Sequence, residues 1–393
     1  MTEKNSSAEN HEPRTVNRIM SRPTTALVDL SALSHNLACA RSRVNKSVEI
    51  IPVVKADAYG HGAKEVVRRL YSQGVNILCV ALLDEALALR QSGFAGEILV
   101  SNGLFPGEEE EAVARGFIPF VLSSESLERL EAAARKRGQP AKVHLKVDTG
   151  MGRIGVDPGE FFPLAERILR SPHLTLDGVL SHLASADLNS PEENDYTRRQ
   201  IESFALLRAG LERRGYKVPR WHLLNSAGLI RFPEALHTAV RLGIMLYGVS
   251  PSEDVDLSDQ LQPVLSLKTQ ITFLKKVPPG SAISYGRQTV VERPSLIATI
   301  PIGYADGLPR TLPVGFPLLV RGRRAPIAGV VTMDMTMLDV TDVPGVARGD
   351  EVVIIGEQGG QLIRVEDIAK ACGTIPYEVL CRLGPRVPRH YLT

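Results

Sequence analysis

Between about residues 48 and 250, short β-branched apolar runs alternate with longer amphipathic stretches. The runs are V-E-I-I-P-V-V-K, N-I-L-C-V-A, E-I-L-V-S-N, I-P-F-V-L-S, K-V-H-L-K-V-D, L-D-G-V-L-S-H-L, R-W-H-L-L-N and T-A-V-R-L-G. Between them, segments such as Ser124–Arg137 and residues 196–214 carry apolar side chains at helical spacing. Eight strands, nearly all followed by a helix, predict a (β/α)8 barrel; their regular spacing favours closure over an open doubly wound sheet. After about residue 262 the pattern shortens. V-L-S-L-K-T-Q-I-T-F-L, L-I-A-T-I-P-I-G-Y, A-P-I-A-G-V-V-T-M-D and D-E-V-V-I-I-G are separated by Pro/Gly turns, which predicts a mostly β domain. Only Val365–Cys372 has a helical period there. The expected division is a disordered tail over 1–21, a barrel domain over 22–262 and a β domain over 263–393.

Composition narrows the picture without redrawing it. With 44% hydrophobic and 23% charged residues, the chain has ample material for a large core. A net charge of +2 gives no reason to expect nucleic acid or an anionic membrane surface as partner. No apolar run approaches the roughly 18–20 residues a membrane helix needs, and the polar first 21 residues lack the apolar core of a secretory signal, so a cytoplasmic protein is expected. Cys39, Cys79, Cys372 and Cys381 show no metal or redox spacing and are read as idle thiols; no metal is expected.

A barrel of this kind builds its active site at the carboxyl ends of its strands. The first predicted strand ends in Lys55, inside V-V-K-A-D-A-Y-G-H-G (53–62). The fifth ends in K-V-D-T-G-M-G-R-I-G (146–155), carrying Lys146, Asp148 and Arg153. The sixth ends in Ser181 and His182, the seventh in Asn225 and Ser226, the eighth in Arg241 and Gly243. A lysine leaving an apolar core meets little water, and desolvation frees its amine to attack an aldehyde. Ser226 and the backbone at Gly243 and Ile244 are suited to donate to a phosphate, as barrel sites near the last strands often do. Each residue alone has a bland explanation: a lysine snorkelling to solvent, a turn serine, a structural histidine. Their convergence on one mouth argues for a charged pocket.

V-V-K-A-D-A-Y-G-H-G is similar to the lysine motif of the bacterial alanine racemases, which depend on pyridoxal phosphate (PLP). The resemblance continues in order through R-P-T-T-A-L-V-D-L-S-A-L-S-H-N-L (22–37), K-V-D-T-G-M-G-R-I-G, L-S-H-L-A (180–184) and N-S-A (225–227). It runs on through V-R-L-G-I-M-L-Y-G (240–248), S-Y-G-R-Q-T (284–289), I-G-Y-A-D-G (302–307), M-D-M-T (333–336) and P-Y-E-V-L-C-R-L-G-P-R-V-P-R (376–389). It covers nearly everything after residue 21.

The resemblance implies a role for each matching residue. Lys55 carries PLP covalently and acts as the base on the D-alanine face. Tyr285 is the opposite base, supplied by the second subunit of a homodimer. Arg241 hydrogen-bonds the pyridine nitrogen, and His182 links it towards Tyr285. Arg153 lies near the PLP phenolic oxygen and the substrate carboxylate. Lys146 matches a position carbamylated in many members, where it orients that arginine. Tyr59, Asn225, Ser226, Gly243, Ile244 and Tyr377 belong to the cofactor site, most of them around the phosphate. Met333 meets the substrate carboxylate through its backbone, and Tyr304 and Tyr377 guard the entrance. Many members carry Cys before the M-D pair where this chain has Thr332, so substrate fit or inhibitor response is expected to differ.

The implied activity is interconversion of L- and D-alanine, with D-alanine supplied for peptidoglycan. Many PLP enzymes pair the ring nitrogen with a carboxylate that keeps it protonated. An arginine cannot accept a hydrogen bond and does not give up its proton at ordinary pH. The ring then withdraws less charge, which suits fast reprotonation between two bases and disfavours transamination. Serine or broad-spectrum racemases share the fold, but two tyrosines near the substrate methyl argue for alanine. Basic amino-acid decarboxylases share the plan, but an acidic group is expected at the ring nitrogen. Non-enzymatic PLP-binding proteins resemble the barrel alone.

Overall fold

The structure, a computed structural model, describes residues 22–393; the tail expected over 1–21 lies outside the described residues. The chain opens with β1 (Thr25–Asp29) and the helix Leu30–Arg41, whose N-terminus is capped by Asp29 accepting from Ser31 and Ala32 N–H. Eight barrel strands follow: β2 (Glu49–Pro52), β3 (Ile77–Val80), β4 (Glu97–Val100), β5 (Ile118–Val121), β6 (Ala141–Lys146), β7 (Leu174–Leu180), β8 (Arg220–His222) and β9 (Ala239–Leu242). Six lie within one of the eight apolar runs, and β6 and β7 begin one and two residues ahead of theirs. Strands β3 to β8 form one parallel sheet, and β2 pairs in parallel with β9. The ring is joined by a parallel bridge from Val53 to Cys79 and by the Arg241 N–H donating to Leu224 O at 3.1 Å.

Side chains on a barrel strand alternate between interior and helix layer. The interior set Ile51, Ile77, Cys79, Leu99, Ile118, Phe120, Leu180 and Ala239 forms its own buried cluster, separate from the larger core under the helices. In that outer layer Phe204 meets Trp221 of β8 edge-on at 5.5 Å, and both are buried.

Helix ends follow local chemistry more closely than the apolar period does. Ser124–Arg137 matches its predicted span, with Ser123 accepting from Ser126 N–H and Gly138 in the left-handed conformation that closes many helices. The helix expected over 196–214 runs from Pro191 to Arg213. It starts earlier because Ser190 accepts from Glu193 N–H and Pro191 takes the first helical position, where its missing N–H costs nothing.

The remainder is mostly β. One sheet contains Leu265–Gln270, Pro317–Val320, Arg323–Pro326 and Glu351–Gln358; a second contains Phe273–Val277, Ser295–Ile300 and Thr336–Asp339. β1 joins the first sheet, antiparallel to Leu265–Gln270 and parallel to Arg389–Leu392. We keep 22–262 and 263–393 as the two proposed domains, with this one strand crossing between them. Val365–Cys372 is helical as expected. A second short helix, Pro376–Cys381, was not anticipated; Pro376 starts it, and it carries Tyr377. Among the described residues no helix is long and apolar enough to cross a membrane.

Candidate active site

The carboxyl ends of the barrel strands open into a cavity of about 700 Å³, in the size range of small-molecule sites. Lys55, Tyr59, Lys146, Arg153, His182, Asn225, Ser226, Arg241, Gly243, Ile244 and Tyr377 all line it. Tyr285, Tyr304 and Met333 do not.

Lys55 stands half-buried just beyond β2. The next four residues, 56–59, all have φ between 52° and 55°, a left-handed turn built from Ala, Asp, Ala and Tyr. Such a conformation costs L-residues roughly 1–2 kcal/mol each, and strain of this kind concentrates at functional sites. The turn is held from several sides. Glu85 accepts from Ala56 N–H at 2.6 Å, Asp57 accepts from Ala63 N–H at 2.7 Å, and Arg389 donates to Gly60 O at 3.1 Å. The Tyr59 ring packs against Tyr247, 4.9 Å between centroids. A Cβ at Gly243 would lie 2.5 Å from the Tyr59 hydroxyl, so Gly243 leaves the space that hydroxyl occupies.

The cavity has two electrostatic ends. At one, burial raises the Tyr59 and Tyr377 phenols well above their usual range, so both are neutral donors. They stand with Ser226, whose hydroxyl accepts from Gly243 N–H at 3.2 Å. Asn225 also lines the cavity, but its side chain caps the following helix at Gly228 N–H, 2.8 Å away.

At the other end is Arg241. Burial lowers its guanidinium to about 10, which still leaves it charged at neutral pH. Nη1 donates to His222 Nδ1 at 2.8 Å and to His222 O at 2.8 Å. Nη2 donates to Ser181 O at 2.7 Å, His182 Nδ1 at 3.1 Å and Leu223 O at 3.3 Å. Lys146 is buried beside it, and burial, followed by the charges of Arg241 and Arg153, lowers its amine to about 8. Arg153 is carried by a loop that folds around Asp148. Burial pushes the Asp148 carboxyl up, but N–H groups of Gly150, Gly152, Met151 and Arg153 outweigh it and hold the group below its usual value.

His182 adds no positive charge of its own to the link from Arg241. Burial, with Arg241 next, drives its pKa well below the usual histidine value. It is therefore neutral, and since Arg241 donates to Nδ1 its own proton sits on Nε2.

Tyr285, Tyr304 and Met333 are grouped elsewhere, on an exposed part of the β domain. Tyr285 is 73% exposed. It follows Ser284 (φ 64°, ψ −175°), a conformation nearly confined to glycine, and precedes Gly286 and Arg287, both with positive φ. Ser284 donates to Val330 O at 3.0 Å, and a Cβ at Gly329 would come within 2.5 Å of the Ser284 Cβ. Tyr304 N–H donates to Thr332 O and Ala305 N–H to Met333 O, both at 3.0 Å, which ties the other two residues into one turn. The Thr332 hydroxyl donates to Met335 O at 2.7 Å and accepts from Met335 N–H at 3.2 Å, so it closes this turn.

Several residues near the site were not singled out from the sequence: Cys79, Asn102 and Asp187 in the cavity wall, and His222 behind Arg241. His222 lies inside the quoted run R-W-H-L-L-N; strand alternation through a barrel interior was the signal that would have exposed it.

A barrel mouth holding a lysine, a buried arginine and a cradle of neutral donors, followed by a β domain, defines a barrel-fold PLP enzyme. The residues fit that cofactor: the donors suit its phosphate, and Arg241 has no carboxylate among its hydrogen-bond partners. Comparison with known proteins makes the assignment specific. Residues 28–251 match the family described as alanine racemase, N-terminal domain, and residues 264–391 match alanine racemase, C-terminal domain. The chain is 44% identical over 376 residues to the alanine racemase of Halothermothrix orenii, covering 96% of this chain and 98% of that one. It is 41% identical over 373 residues to that of Geobacter sulfurreducens, covering 95% and 98%. Among solved structures, alanine racemase from Streptomyces coelicolor superposes with TM-score 0.89 at 35% identity, covering 94% of this chain and 98% of that one. The Bacillus anthracis enzyme with bound L-Ala-P gives 0.86 at 36% identity, covering 95% of each. The chain belongs to the alanine racemase family of PLP-dependent isomerases.

Proposed function

We propose that this chain interconverts L- and D-alanine in the cytoplasm, supplying D-alanine for peptidoglycan, and that it does so as a homodimer whose sites are shared between subunits. The observation that carries the proposal is the split of the family's residues. Lys55, Arg241 and the phosphate cradle line one barrel cavity, whereas Tyr285, Tyr304 and Met333 stand together, exposed, outside it. A second copy presenting its β domain to the cavity joins the two sets.

Lys55 holds the cofactor and works as one base. Tyr59, Tyr377, Ser226 and the backbone at Gly243 and Ile244 bind its phosphate. Bound PLP supplies the electron sink that lets the α-proton of an amino acid leave. Arg241 spends Nη1 and Nη2 on protein acceptors, and we assign its Nε–H to the ring nitrogen, which it cannot protonate. Tyr285 of the second copy is the opposite base. An unperturbed phenol, with a pKa of about 10, is a poor base; Arg241 supplies the positive field, and His182 donates its Nε2–H to the tyrosine oxygen. Arg153 and the Met333 backbone hold the substrate carboxylate. Lys146, with an amine at about 8, has an accessible neutral form that takes up carbon dioxide as a carbamate and orients Arg153. Tyr304 and Tyr377 leave room for a methyl side chain.

The test is the loss of optical activity from L-alanine, L-serine and L-lysine by purified protein with PLP. Alanine is expected to racemise fastest; comparable rates with lysine would favour a broad-spectrum racemase.

A further inference from the structure

We propose that Asp177, His144 and His222 are positioning residues, forming a one-way hydrogen-bond relay through the barrel interior that fixes the orientation of Arg241 at the cavity floor. The inference rests on the assignment of Arg241 to the ring nitrogen and adds what sets that arginine's orientation.

The chain of contacts is continuous. Arg241 Nη1 meets His222 Nδ1 at 2.8 Å, His222 Nε2 meets His144 Nδ1 at 2.9 Å, and His144 Nε2 meets Asp177 Oδ2 at 3.0 Å. Both imidazoles are fully buried. Burial lowers the pKa of each, so each carries a single N–H. The direction then follows from donor chemistry. A guanidinium only donates, so His222 Nδ1 accepts and its proton is on Nε2. That proton is donated to His144 Nδ1, which leaves the His144 proton on Nε2, donated to the carboxylate.

Three local features are built around this line. The β6/β7 register slips by one residue, Val143 pairing with Leu176 but His144 with Gly178, and the extra residue is Asp177. Bulges of this kind re-aim a side chain. A Cβ on Gly178 would lie 2.6 Å from the His144 ring, so the glycine makes room for it. Phe120 stacks against the same imidazole, 5.9 Å between centroids and 6° from parallel.

Charge gives the arrangement a purpose. At the amino ends of the strands, Asp177, Glu49 and Glu97 pair, among the described residues, with the cations Arg220 and Lys142. Three carboxylates against two cations leave one surplus negative charge, connected to Arg241 through the two imidazoles.

The experiment is nitrogen NMR of 15N-histidine-labelled protein, stripped of cofactor and loaded with PLP, with His144→Gln and His222→Gln for assignment. His144 and His222 should both carry their proton on Nε2, uncharged, with no titration between about pH 6 and 8, where exposed histidines respond. Asp177→Asn should disturb the His222 signal, shift the cofactor absorbance and lower kcat about tenfold or more with little change in the KM for alanine, as lost outer-partner carboxylates do elsewhere. A purely structural Asp177 would lower thermal stability without moving the signal or the absorbance. A His222 proton on Nδ1, a charged His222, or an Asp177→Asn enzyme with unchanged imidazole signals and absorbance overturns the relay. If Arg241 does not face the ring nitrogen, the wild-type tautomers stand while Arg241→Lys leaves the absorbance unmoved, so the two failures are separable.

Discussion

At the barrel mouth, Lys55 and Arg241 hang from strand ends in a buried ring, and polar groups there are neutral, committed or lowered in pKa by burial. On the β domain, Tyr285 projects from a loop in which Ser284, Gly286 and Arg287 all hold positive φ around it. The barrel half is complete in a single chain. The β-domain half is shaped just as firmly at the backbone, yet its Tyr285, Tyr304 and Met333 do not line the cavity. Preorganisation is thus divided between burial on one side and backbone constraint on the other, and the proposed dimer is what would bring them together.

The largest effect should come from breaking the barrel half at Lys55. Lys55→Ala is expected to abolish racemisation and to remove the peptide label that borohydride fixes in the wild type; a label on Lys146 instead would contradict the assignment. Breaking the other half should be more selective. Tyr285→Phe should slow racemisation by roughly the 10²–10⁴ that a positioned acid–base group contributes, while exchange of the D-alanine α-proton with solvent, which the proposal gives to Lys55, stays largely intact. Equal loss of both reactions would deny the division of faces.

Arg241→Glu tests the cavity floor. It should protonate the ring nitrogen, slow racemisation, add long-wavelength absorbance and increase transamination. Lys146 gives a smaller effect, visible in its pH dependence. A lysine with its amine at about 8 is neutral at lower pH than an ordinary lysine, so a 13C carbamate signal from labelled bicarbonate should grow as pH rises through that value and be absent in Lys146→Ala. The smallest is the step from alanine to serine. Serine adds a hydroxyl to the alanine side chain, one heavy atom, and a tight apolar pocket discriminates by roughly 1–3 kcal/mol for an added methylene of that size, so alanine should be preferred over serine and lysine should react negligibly.

The eight barrel strands were legible because each is a short β-branched run between amphipathic stretches, a pattern that closure itself imposes. The cavity residues followed once strand ends were taken as the place for chemistry. Other features left no trace of that kind. In K-V-H-L-K, Lys142, His144 and Lys146 alternate towards the barrel interior, yet the same letters suit a strand facing solvent. The bulge that turns Asp177 to His144 depends on pairing with β6 and has no local signal. Ala, Asp and Tyr do not announce a left-handed turn at 56–59; it is imposed by Glu85 and Arg389, distant in sequence. β1 reads as the start of the barrel domain, and only its partners at both sides place it in the other sheet.

The central claim, that the two bases belong to different copies of the chain, is tested most directly by mixing two inactive variants. Lys55→Ala and Tyr285→Phe subunits, dissociated and reassociated together, should recover part of the wild-type rate. A heterodimer would then hold one site with both bases intact and one with neither. If heterodimers form, as native mass spectrometry can establish, and no racemisation returns, the two bases do not meet across an interface.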